Sequence, residues 1–352
     1  GLQEKKKASA DAWPGSFENL FFYWQNRSKA NTFADPVAQF SCVCRAEAKG
    51  RARYGRHFEM APSGGAFIAD GGAGELIEKC AASGQLAVEV MITPDTNLKE
   101  QLLPIVGYAA KTGNWNFLLG QKENQLIFQM SSEKTEKNYT LTLGVLASNV
   151  PNHIIVSCSS SSVACYLNGK QISCHDSVFG GNWERGSIVF GNELQDEYAV
   201  NQVEKKSGWK GLIENVALNS RWIGPEEARN KYSASVAAIT ERKPLPVLSV
   251  EAKLISMPVI PAPESIAPYR RALAVGQYRI EQVTEGTCSN REVMVAQWAI
   301  LDGQTLKSAQ NQKGRKYRLR LEQFSDHPEL EGERQIMDND RFDLPLYFDV
   351  GD

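Results

Sequence analysis

From residue 85 to residue 190 the sequence falls into short β-prone runs about ten residues apart, with no long helical period between them. The first run alternates, so that Leu86, Val88, Val90 and Ile92 share one face before Pro94-Asp95-Thr96-Asn97 turns the chain. Runs at 103–108, 115–120, 125–130, 139–143, 154–158, 163–167 and 188–190 follow, each bounded by Gly, Asn or charged turn residues. Parallel sheets need long crossover connections, and these are absent. The pattern therefore predicts antiparallel sheets stacked as a sandwich or jelly roll.

Two turns fix local register. Asn168-Gly169 supplies the positive φ angles of a type I′ hairpin. If Ser161-Ser162 form a two-residue turn, Cys158 stands opposite Cys165, and the strand after Asn168-Gly169 brings Cys174 alongside. Six of the seven cysteines, Cys42, Cys44, Cys80, Cys158, Cys165 and Cys174, lie in the first half. All six are disulfide candidates, which implies an oxidising compartment. Buried free thiols are the alternative reading. The opening Gly1-Leu2-Gln3 without Met adds to the expectation of a processed, exported protein, whether periplasmic, cell-surface or extracellular. Cys42-x-Cys44 with His57 has no second cysteine pair to complete a zinc site.

The order of motifs from 152 to 232 resembles the concanavalin A-like, laminin-G-like jelly rolls of bacterial secreted proteins. The carrying residues are His153-Ile154-Ile155-Val156, Tyr166-Leu167-Asn168-Gly169-Lys170 and Ile188-Val189-Phe190-Gly191-Asn192-Glu193. They continue with Trp209-Lys210-Gly211-Leu212-Ile213 and close on Ser220-Arg221-Trp222-Ile223-Gly224-Pro225-Glu226-Glu227-Ala228. Pro225 suits the first position of a short helix, with acids in its first turn. The resemblance covers roughly 15–235 and implies an all-β fold, a concanavalin A-like antiparallel jelly-roll sandwich followed by a small C-terminal β-barrel or sandwich domain. Residues 1–14 read as a flexible N-terminus, and 236–268 as a Pro-rich linker with one strand in it. Residues 269–352 read as a small β domain, a barrel or a sandwich, with an OB-type barrel among the options. Pro268-Tyr269-Arg270-Arg271 and Asp326-His327-Pro328-Glu329-Leu330-Glu331-Gly332-Glu333 resemble the tail of planctomycete-type exported proteins that carry the same jelly roll.

Jelly rolls of this class include glycoside hydrolases, which need two carboxylates flanking the scissile bond. No Glu-x-Asp-x-x-Glu strand occurs here, nor a Gly-x-Ser-x-Gly elbow, so the protein is read as a non-enzyme. Glu193 and Asp196 form a weak calcium candidate; otherwise no cofactor is expected. Trp115 with Asn116, and Trp183 with Asn182, are the ligand candidates. Each pairs a stacking ring with a polar neighbour, and each is expected on an exposed loop. Lys+Arg 39 against Asp+Glu 41 gives no global attraction to nucleic acid or anionic membrane. No apolar run reaches the roughly 18–20 residues of a transmembrane span. The expectation is an exported recognition or scaffold protein binding a glycan or a protein partner. A structural subunit of a larger envelope or surface assembly is one alternative. A polysaccharide-active hydrolase with an atypical carboxylate pair is the other.

Overall fold

A computed structural model of the protein describes residues 13–15, 19–25, 46–69, 73–96, 99–111, 113–131, 139–176, 184–193, 208–242 and 245–351. The chain divides into two compact units, Gly1–Arg242 and Lys243–Asp352.

The first unit opens with β1 (Leu20–Gln25), β2 (Glu47–Lys49), β3 (Arg53–Tyr54), β4 (Met60–Ala61) and β5 (Ala66–Ala69). Helix α1 (Ala73–Ser83) precedes β6 (Leu86–Pro94), β7 (Leu103–Lys111), β8 (Asn114–Lys122) and β9 (Gln125–Met130). Then come β10 (Tyr139–Val145), β11 (Asn152–Cys158), β12 (Ser162–Leu167), β13 (Lys170–Asp176), β14 (Ser187–Phe190), β15 (Gly211–Asn219) and helix α2 (Pro225–Thr240). One sheet of eight strands runs β13–β12–β11–β6–β15–β4–β3, with β1 also on β15. The facing sheet of seven runs β10–β9–β8–β7–β14–β5–β2. Every pairing in both sheets is antiparallel.

The alternation read in the sequence builds the core. Leu86, Val88, Val90 and Ile92 of β6 point inward to meet Phe117, Leu119, Phe128, Ile188 and Phe190 from the other sheet. Asn168 and Gly169 take positive φ, as the turn requires, and a Cβ on Gly169 would lie 3.2 Å from Tyr232 and Arg229 of α2. The glycine thus serves both the turn and the helix packed on it.

The second hairpin differs from expectation. Ser159 N–H donates to Ser162 O, which centres the turn on Ser160-Ser161, one residue earlier than expected, and Cys158 pairs with Val163 while Cys165 pairs with Val156. Across the next ladder Ala164 faces Cys174 and Cys165 faces Ser173, which turns Cys174 to the opposite side from Cys165. The register that set Cys158 opposite Cys165 is corrected accordingly. Cys80, Cys158 and Cys165 are buried free thiols, and Cys174 is an exposed one. Cys42 and Cys44 lie outside the described residues.

The second unit contains β16 (Leu248–Ser256), β17 (Ala272–Glu285), β18 (Glu292–Leu301), β19 (Gln304–Thr305), β20 (Lys316–Gln323), β21 (Arg334–Ile336) and β22 (Leu346–Asp349). The order β16–β17–β18–β22–β20 returns to β16, which closes a five-stranded barrel. Only β18 and β22 run parallel within that ring, a connectivity shared with OB-type barrels. Leu248, Val250, Leu254, Val293, Val295, Leu319 and Leu321 fill the interior. The stretch 236–268, read as a linker, holds the end of α2 and the first barrel strand. Leu248, Val250, Ala252 and Leu254 alternate inward there, so the strand belongs to the barrel and not to a connector. Among the described residues no helix is long and apolar enough to cross a membrane.

Candidate functional site

The two outer faces of the sandwich differ. Over the eight-stranded sheet lies α2, started by Pro225 after Gly224 and tied to the preceding loop by the Arg221–Glu227 ion pair. Ile223 and Ala228 pack on Ala87, Ile155, Ala164 and Tyr166, and Trp13 with Tyr23 and Leu20 packs on Ala217. That face is sealed by the chain itself.

Under α2 sits a charged cluster that the sequence reading missed. Glu89, on the outward phase of β6, is fully buried. Its Oε1 accepts from Trp13 Nε1 at 2.6 Å and from His153 Nε2 at 3.0 Å, and its Oε2 accepts from Lys231 Nζ at 2.8 Å. Lys231 Nζ also donates to Pro14 O at 2.7 Å. Burial alone would raise the Glu89 carboxyl; the charges of Lys231 and His153 and their hydrogen bonds outweigh it and bring the group down to about 2. A carboxylate this deep, with both oxygens committed, meets no substrate. It fastens β6, β11, α2 and residues 13–14 together. An acid on the polar phase of an alternating strand ordinarily reads as solvent-facing, so only the later Lys231 could have hinted at burial.

The outer face of the seven-stranded sheet is built differently. At its centre Ala66, Ala109, Trp115, Leu118 and Val189 form an apolar cluster, with Leu102 packed against it. A register shift between Tyr108 and Ala109 sets Trp115 opposite Ala109 and lays its ring across Gly107. A Cβ at Gly107 would stand 2.6 Å from the indole carbons, so glycine makes the seat. Polar margins flank this centre. On one side Gln129 Nε2 donates to Thr140 Oγ1 at 3.1 Å, with Thr142 exposed beside them. On the other, Lys49 pairs with Glu47 at 2.9 Å.

The predicted ligand residues are placed as follows. Trp115 is in strand β8 and 5% exposed, not on an exposed loop, because the bulge folds its ring onto Gly107. Asn116 is buried and acts as a chain anchor: its Nδ2 donates to Glu184 O at 2.6 Å and its Oδ1 accepts from Glu184 N at 2.8 Å. Asn114 Nδ2 reaches the Glu184 carboxylate at 3.1 Å, and Gly186 N donates to Tyr108 Oη at 2.9 Å. A Cβ at Gly186 would collide with Ala109 O. Thus β7 and β8 grip residues 184–186, immediately after Trp183. Trp183 and Asn182 themselves lie outside the described residues, as does Asp196. Glu193 N donates to Asn192 Oδ1 at 2.8 Å, and Asn192 Nδ2 donates to Gly64 O at 3.0 Å. Among the described residues no group of three metal-ligating side chains occurs. Glu47, Glu89, Glu184 and Glu214 each hold a partner inside the scaffold, the last being Arg242 at 2.6 Å.

Residues 71–229 match the family model of the concanavalin A-like lectin/glucanases superfamily. No curated protein matches the sequence. Among solved structures, a Trypanosoma rangeli sialidase in complex with 2,3-difluoro-KDN is similar at 12% identity and a TM-score of 0.42, covering 56% of this chain. The match spans 30% of that sialidase chain. Domain 4 of AbnA, a GH43 extracellular arabinanase from Geobacillus stearothermophilus in complex with arabinotriose, matches at 14% identity and a TM-score of 0.42. It aligns over 61% of this chain and 98% of its own. The fold of the first unit is thus an antiparallel jelly-roll sandwich that over residues 71–229 is similar to the concanavalin A-like lectin/glucanases superfamily.

Proposed function

We propose that the first unit is a non-catalytic glycan-binding jelly roll of a protein that acts outside the cytoplasm. The observation that carries this reading is the asymmetry of the sandwich, in a segment that matches the lectin/glucanase superfamily. One outer face is closed by α2 and residues 13–14, with the buried carboxylates Glu89 and Glu214 locked to Lys231 and Arg242. The other carries Thr140, Thr142 and Gln129 as hydrogen-bonding groups beside a buried apolar cluster. Sugar recognition combines such polar groups with an apolar surface for the ring's C–H faces, the part proposed here for Trp183. Asn116, Asn114 and Tyr108 hold residues 184–186, which follow Trp183 in the sequence. Calcium enters the proposal as an optional ligand of Glu193 and Asp196, which a metal titration addresses directly.

A glycan-array screen of the full chain, with calcium and with chelator, tests the reading. Trp183→Ala and Gln129→Ala are the informative variants, since Trp115→Ala would also open the buried cluster. Specific glycan signal that either variant lowers about tenfold or more, one stacking contact or hydrogen-bond pair being worth 1–2 kcal/mol, is the expected result. Silence on the array in both conditions would favour a subunit of a larger assembly. Release of reducing ends from a bound glycan would favour a hydrolase.

A further inference from the structure

On the barrel, β17, β16 and β20 lie side by side and present an outer face with a row of like charges. Arg279 is the Cα partner of Lys253, and Lys253 is the partner of Lys316, so three cations stand in one cross-strand rank. Like charges directly opposite on a sheet are destabilising, and nothing in the fold requires them here. Along β20 the alternation that sends Leu319 and Leu321 into the barrel sends Lys316, Arg318 and Arg320 out, with exposed Arg315 just before the strand. The neighbouring acids do not balance them. Glu292 holds Arg279 at 2.9 Å, while Glu251 at 3.6 Å and Glu281 at 2.5 Å both go to Lys316. The side chains of Lys253, Arg315, Arg318 and Arg320 make no ion pair among the described residues.

We propose that this β17–β16–β20 face binds an anionic polysaccharide, a chain of uronate or sulfated sugars laid along β20. Alternate positions on a strand are about 6.8 Å apart, so the outward cations of β20 form a line of separated charges that a flexible polyanion can follow. The polynucleotide alternative fits less well. The tyrosines of this region, Tyr278 and Tyr317, form an edge-to-face pair at 6.3 Å within the barrel core, so the face offers no ring for base stacking. Duplex DNA, with a charge every ~1.7 Å of axis, would also press its phosphates on Glu251 and Glu281. A chain of sparser charge can thread between them. The inference stands independently of the glycan proposed for the first unit, since its residues and its ligand charge are different.

Retention of the full-length protein on immobilised heparin and polygalacturonate, eluted with a salt gradient, tests it. Wild type should be retained at low salt and released by added salt, as expected when condensed counterions are displaced. Arg318→Glu/Arg320→Glu should lose retention and lower the salt slope by about 2, one per cation. Both positions are exposed, so an unchanged melting temperature verifies the fold. Lys307→Glu, an exposed cation away from the face, should elute like wild type, and so should Trp183→Ala. Retention of the double variant equal to wild type overturns the proposal. Tighter binding to single-stranded DNA of matched charge than to either polysaccharide also overturns it and makes the partner a polynucleotide.

Discussion

Removing the charge of Glu89 leaves Lys231 buried beside a neutral amide. Glu89→Gln should therefore cost about 3–5 kcal/mol in denaturant unfolding, the penalty of an uncompensated buried charge, while Glu89→Leu/Lys231→Met together should recover most of it. Acid unfolding follows from the same group. The folded carboxyl lies at about 2 and the unfolded one near its ordinary 4.5. Its contribution, on the order of 3 kcal/mol, is complete above the unfolded value and is lost as pH falls from there towards the folded one. In Glu89→Leu/Lys231→Met the acid limb of the stability curve should flatten over that window. The thiols make a second residue-scale prediction. Burial pushes Cys80 and Cys165 up to about 12 and raises Cys158 as well, so all three stay protonated and shielded at neutral pH. Timed thiol labelling with mass-spectrometric mapping should modify Cys174 in the native protein, and modify these three only after denaturation.

At the scale of elements, period-two alternation was a sound guide because each strand of the sandwich has one face in the common core. It placed β6, β8, β9, β11 and β12, and Asn168-Gly169 marked its turn from chemistry alone. Turn position was not legible: the choice between a turn on Ser161-Ser162 and one on Ser160-Ser161 depends on hydrogen bonds that several serines can make equally well. Helix α2 was visible only at its start, Gly224-Pro225-Glu226-Glu227. Its buried side chains are Ala228, Lys231 and Ser235, so no apolar stripe announces it. Ser235 accepts from Asn215 at 2.9 Å, a polar contact under a helix that the pattern alone would call solvated. The seat of Trp115 was hidden for a related reason, since Gly107 gains meaning only once β7 and β8 are paired. Gly107→Ala should displace the indole, cost about 1–3 kcal/mol as an overpacked core position, and shift the tryptophan emission. Urea unfolding with fluorescence detection measures both.

For the whole molecule, the sequence yielded the sandwich and a small second β unit, because sheet stacking and barrel closure both rest on alternation that one chain can display. It did not show which outer face the chain would cover, a matter settled by long-range contacts such as Lys231 to Glu89, 142 residues apart. The proposed function depends on that choice: with the eight-stranded sheet closed by α2, recognition is proposed for the seven-stranded one. Hydrogen–deuterium exchange of the full chain, with and without a glycan identified on the array, tests it most directly. The account predicts added protection in β8, β9 and β10 and none in β11, β12 or α2. Protection confined to α2 and the eight-stranded sheet would contradict it.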